Sequence, residues 1–203
     1  MPPRIPSPYK PARPALIEPI RQPLYSSKLI TGAAPENQLL FFQETQGSVG
    51  QTPINTNMET AGQLSNPKIF VIDGIRQDVA QRVTTADATG LLFDDLCKIG
   101  EIYWVRLFIG TKEYFRSAAK YWTSGIGGWL SAAGNPGAGN VLYTQNFGVP
   151  VHSNYFRLKN RIITIPPQQN FQTELNLGVA GVTLSANRRV WHYLEGSLGR
   201  EVM

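Results

Sequence analysis

Residues 99–110 read IGEIYWVRLFIG, and this stretch decides the fold class. Tyr103, Val105, Leu107 and Ile109 alternate with Ile102, Trp104, Arg106 and Phe108, which is the period-two pattern of a β-strand. Both faces are largely apolar, so the strand is expected to be covered on both sides. One cover is the domain's own core. The other is a second sheet or a second subunit, which makes Trp104 and Phe108 candidate interface residues.

Working outward, residues 68–76 (KIFVIDGIR) are β-branched and aromatic, and Pro67 stands where a strand tolerates it. Between the two strands, Asp87-Ala88-Thr89 can cap a short helix over 87–97, with Leu91, Leu92, Phe93 and Leu96 on its buried side. Residues 112–122 (KEYFRSAAKYW) allow a short helix or a strand running into a loop. Residues 124–140 carry six glycines and read as a long, adaptable excursion anchored by Trp129 and Leu130, with Trp129 a further candidate interface residue. Further strands are expected at 161–165, 171–177, 189–195 and 198–202. In residues 171–177, Phe171, Thr173, Leu175 and Leu177 alternate with polar residues. About seven short strands separated by Gly and Pro turns argue a β-sandwich or jelly roll. There is no internal repeat.

The segment 24–66 looks irregular, apart from the apolar run 38–42 (QLLFF). Before it, eight of the fifteen prolines fall within residues 1–23. Each fixes φ and removes a backbone donor, so an extended ribbon without internal hydrogen bonds is expected. The division is an arm over 1–37 and a single β-domain over 38–203. A ribbon of this kind can cross a subunit boundary, where Ile5, Tyr9, Leu16, Ile17, Ile20 and Leu24 would be its buried contacts.

The net charge is +5, and the arm contributes Arg4, Lys10, Arg13 and Arg21 against Glu18. Four dispersed cations make a poor genome anchor, because each phosphate contact needs its own. They leave a minor role in genome or membrane contact. Cys97 is the single cysteine, excluding an internal disulfide and a thiolate metal cluster. No apolar run reaches the length of a membrane span, and residues 1–23 lack the apolar core of a secretory signal. Synthesis in a reducing cytoplasm is expected.

Catalytic chemistry finds little purchase. His152 and His192 stand in no metal-ligand pair, and His192 reads as a strand side chain facing a polar neighbour. The glycine-rich segment matches neither phosphate-binding loop pattern. Asp73, Asp78, Asp87, Asp94, Asp95 and Glu101 lack the alternation of a Ca²⁺ loop and suit helix capping and intersubunit pairing. The four tryptophans suit core and interface packing, with a sugar platform as the other use. Neither an enzyme nor a cofactor is expected.

The layout resembles the jelly-roll coat proteins of small icosahedral viruses, particularly tailless bacteriophages. The extended arm is followed by TNMETAGQL (56–64), PKIFVIDGI (67–75) and FIGTKEYF (108–115). Then come the glycine-rich excursion, IPPQQNF (165–171) and YLEGSLGR (193–200). The resemblance covers about residues 38–203 as a pattern. It implies an all-β single jelly roll with one short helix, since 203 residues hold one barrel and not two. It also implies a capsid protein of the virion that self-assembles with copies of itself and other virion proteins, its arm clasping neighbours. The alternative is a phage attachment or carbohydrate-binding module tethered by the arm, with Trp129 on the ligand.

Overall fold

The computed structural model describes residues 16–32, 35–79, 91–122, 129–132, 143–146, 156–158, 162–178 and 183–202. Among these residues it is mostly β, in two antiparallel sheets packed face to face and a separate hairpin, with one α-helix. The first sheet is built around β12 (Arg188–Val202), a strand of 15 residues. Along one edge of β12 lie, end to end, β2 (Leu24–Ile30) against its first half and β1 (Leu16–Arg21) against its second. Its other edge pairs with β4 (Ile69–Val79), which in turn carries β9 (Phe156–Arg157) and β10 (Ile163–Ile165). The second sheet runs β3 (Gln38–Phe41), β11 (Phe171–Leu177), β5 (Tyr103–Ile109) and β6 (Lys112–Ala118). A separate hairpin joins β7 (Trp129–Ala132) to β8 (Tyr143–Asn146).

β5 keeps the two faces read from its sequence. Tyr103, Val105, Leu107 and Ile109 are buried, while Trp104, Arg106 and Phe108 are half-buried. The inner faces meet through Phe41, Leu175 and Leu107 of the second sheet and Phe70, Ile72, Ile75, Val190 and Leu194 of the first, all buried.

Helix α1 (Leu91–Ile102) runs further than expected and takes the first four residues of the quoted stretch. Leu96, Ile99 and Ile102 recur at helical spacing, and the alternation of a strand starts only at Tyr103. Residues 87–90, expected to begin the helix, lie outside the described residues. The segment 112–122 resolves into β6 followed by a 3₁₀ turn (Ala119–Tyr121). The two strands expected at 189–195 and 198–202 are the single β12. Its register against β4 shifts between Glu195 and Gly196, where a side chain would overlap the Val71 carbonyl.

The expected arm over 1–37 contains two strands of the first sheet. Pro19 fits β1 because, among the described residues, β1 is an edge strand that pairs with β12 alone, so no second ladder there needs its missing donor. β2, inside the segment expected to be irregular, carries a weak local strand signal because Ser26 and Ser27, both 1% exposed, occupy buried positions that apolar residues would mark. Leu24, expected to contact a neighbouring subunit, is instead buried in the chain's own core.

Candidate functional site

The outer faces of the two sheets hold the side chains available for recognition. On the second sheet, the register sets Glu174, Arg106 and Arg116 side by side across β11, β5 and β6. The Arg106 guanidinium lies 4.5 Å from the Trp104 ring and 5.1 Å from that of Phe108. It pairs with Glu174 at 2.7 Å and with Glu113 at 3.8 Å. Arg116 donates two hydrogen bonds of 2.8 Å to Glu113 and sits 5.2 Å from Trp104. The hydrogen bonds from Arg116 hold the Glu113 carboxyl below its ordinary range. Trp104 and Phe108, expected to need another sheet or subunit above them, are thus partly covered by the chain's own Arg106. The arrangement suits recognition by stacking and charge.

The first sheet presents a second aromatic face that the sequence reading did not single out. Arg76 stacks 4.0 Å from the Tyr193 ring and lies 3.5 Å from the Glu195 carboxylate. Tyr25 meets Tyr193 with ring centroids 5.9 Å apart, as the β2–β12 register requires. Tyr25 also donates to the Pro53 carbonyl, and the Trp191 indole donates to that of Ile54 at 3.3 Å. Burial raises both the Tyr193 phenol and the Asp78 carboxyl above their ordinary values. A strand alternating Arg189, Trp191, Tyr193 and Glu195 against buried Val190, His192 and Leu194 was a visible signal for this face.

His192 lies between the sheets and is fully buried. Nδ1 is 2.7 Å from Thr173 Oγ1, Nε2 is 3.2 Å from Gln77 Oε1, and the ring stacks on Phe41 at 3.7 Å between centroids. Burial lowers its pKa from 6.5 to about 3, so the ring is neutral at physiological pH. It faces the polar neighbours its strand position suggested, and it is closed to any solvent-borne ligand.

Three of the six carboxylates of the cluster, Asp95, Asp73 and Asp78, make contacts within the chain. Asp95 is fully buried and accepts from Ser185 N at 2.7 Å, Ser185 Oγ at 2.5 Å and Arg188 Nε at 2.7 Å, tying α1 to the start of β12. Asp73 pairs with Arg21. Asp78 accepts from the Val79 amide at 2.8 Å. Asp87 lies outside the described residues.

Ile5, Tyr9, Arg4, Lys10, Arg13 and His152 lie outside the described residues. Leu16 and Ile17 stand on β1 opposite Val202 and Glu201, and Ile20 is half-buried there opposite Leu198. Trp129 stands on β7 opposite Asn146. Cys97 is half-buried on α1. Among the described residues no group of three or more His, Cys, Asp or Glu is placed to hold a metal, and no helix is long and apolar enough to cross a membrane. Comparison with protein-family models, with curated proteins and with solved structures gave no match.

Proposed function

We propose that this chain is a shell subunit, a single jelly roll that self-assembles into an icosahedral viral capsid while the segment before β1 clasps neighbouring copies. The strand order carries the reading. Take β2, β3, β4, β5, β6, β10, β11 and β12 as strands one to eight. One pairs with eight, two with seven, three with six and four with five, all antiparallel. That is a single hairpin ribbon folded at its middle. Contacts of eight with three and seven with four roll the ribbon into two sheets of four. Two Greek keys joined in this way are the jelly roll of capsid domains, and of lectins too.

Fold alone does not fix function. The shell reading draws its further support from residues 1–15, which hold six prolines and three cations and no acid. In this reading a segment of that composition docks with little loss of entropy, because polyproline is stiff before it binds. Its base is fixed: Glu18 pairs with Arg200 at 3.0 Å and Arg21 with Asp73, so whatever precedes β1 starts from a held edge. Arg21 therefore leaves the set of cations available for genome or membrane contact, and Arg4, Lys10 and Arg13 remain. In this reading the protein is made in the host cytoplasm, ends in the virion and uses no cofactor.

Light scattering of the full-length chain, with negative-stain images of the same fraction, tests the proposal. Closed megadalton particles are expected, and a stable monomer or trimer would count against it. Deleting residues 2–15 leaves both strands of the sheet edge in place. It should preserve the fold while abolishing or enlarging the particles; particles of unchanged size would rule out the clasp.

A further inference from the structure

The corner where β2 and β3 lie beside one another, each an edge strand, encloses an open pocket of about 270 Å³. Leu29 and Leu40 line it while remaining 43% and 36% exposed. Four charged side chains share the wall. Lys28 pairs with Glu44, which also accepts from Gln51. The other two are left over. Arg189 donates to Ser27 Oγ at 3.1 Å, and among the described residues it has no carboxylate partner. Glu36 is exposed and, among the same residues, has no cationic partner.

The wall thus carries two cations and two carboxylates, so a small ion of either sign meets as much repulsion as attraction. A second copy meets no such conflict. Two copies related by a twofold axis present the same surface to each other with positions exchanged. An axis passing through the pocket between these two residues would set Arg189 of each copy against Glu36 of the other, with the exposed leucines closing between the two ion pairs. We infer that this corner is a twofold contact between copies of the chain. The inference rests on the self-assembly reading above and names one of its contacts.

The test is sedimentation velocity on full-length wild type, Arg189→Glu, Glu36→Arg and an equimolar mixture of the two variants, with particle imaging of each. Either reversal alone sets like charges together twice and should weaken self-association at least about tenfold. The mixture should restore it, because every contact between unlike variants again pairs a cation with a carboxylate. A pair working only within one chain would not be rescued by mixing. Glu36 is exposed, so its variant remains informative should Arg189→Glu fail to fold.

Loss in the single variants with rescue in the mixture supports the twofold contact. Reversals that associate as wild type does, a mixture that stays dissociated, or a wild type monomeric at every concentration each overturn it. Shells that form normally in both variants overturn the corner and leave the shell reading intact. A wild-type dimer, lost on reversal and without any shell, does the opposite.

Discussion

Acidification should loosen the two sheets through His192 before most carboxylates respond. The ring's partners, Thr173, Gln77, Phe41 and Trp122, are all uncharged, so nothing there compensates an imidazolium. The folded pKa of about 3 lies below the unfolded value of 6.5. Above pH 6.5 neither state takes the proton and stability is undiminished. As pH falls below 6.5 the unfolded chain binds it and the folded chain does not, so stability declines until about pH 3. At about 1.4 kcal/mol per pH unit the full effect is about 5 kcal/mol, of which about 2 kcal/mol has gone by pH 5. Urea unfolding followed by tryptophan fluorescence at pH 7.5, 6.5, 5.5 and 5 measures this window, where free carboxylates stay largely ionised. His192→Gln offers a donor and an acceptor that do not titrate, and its stability should be nearly flat across the same range. A wild type and a variant with the same pH dependence would refute the reasoning.

Two further outcomes follow from the packing. Asp95→Ala removes the buried carboxylate that binds Arg188 Nε and Ser185, and should cost about 3 kcal/mol of unfolding free energy in the same assay; a loss under about 1 kcal/mol would mean the pair is hydrated. Gly196→Ala puts a methyl group into the Val71 carbonyl and within 2.9 Å of the Phe70 ring. It should cost about 3 kcal/mol by overpacking, and a melting temperature equal to wild type would show that the β4–β12 register can slide.

Legibility in the sequence followed the range of the interactions. β5 was readable to its individual faces, because alternation over seven residues is a local signal, whereas in β11 the polar Glu174 and Asn176 are buried beside Thr173 and Leu175, and Leu177 is only half-buried. The helix was placed early, since its capping triplet stood at 87–89 while Ile99 and Ile102 looked equally at home in a strand. Prolines drew attention away from β1 and β2, yet Pro19 and Pro23 sit at an edge and between strands, where they break no ladder. The charged contacts were not legible at all. Asp95 and Arg188 are 93 residues apart and meet only because α1 packs beside the start of β12. Likewise, Arg106 finds Glu174 through strand register alone, which no local window of sequence contains.

The central position of β12 bears on how the protein is made. β1 and β2 have no sheet to join until residues 188–202 have left the ribosome, and Glu18 waits for Arg200 across 182 residues of chain. Sequence-distant pairing of this kind folds slowly and leaves strand edges open meanwhile. During synthesis the proline-rich lead therefore precedes two unpaired, partly apolar strands. Until then both strands are open to pairing with the same strands of neighbouring nascent chains on one polysome.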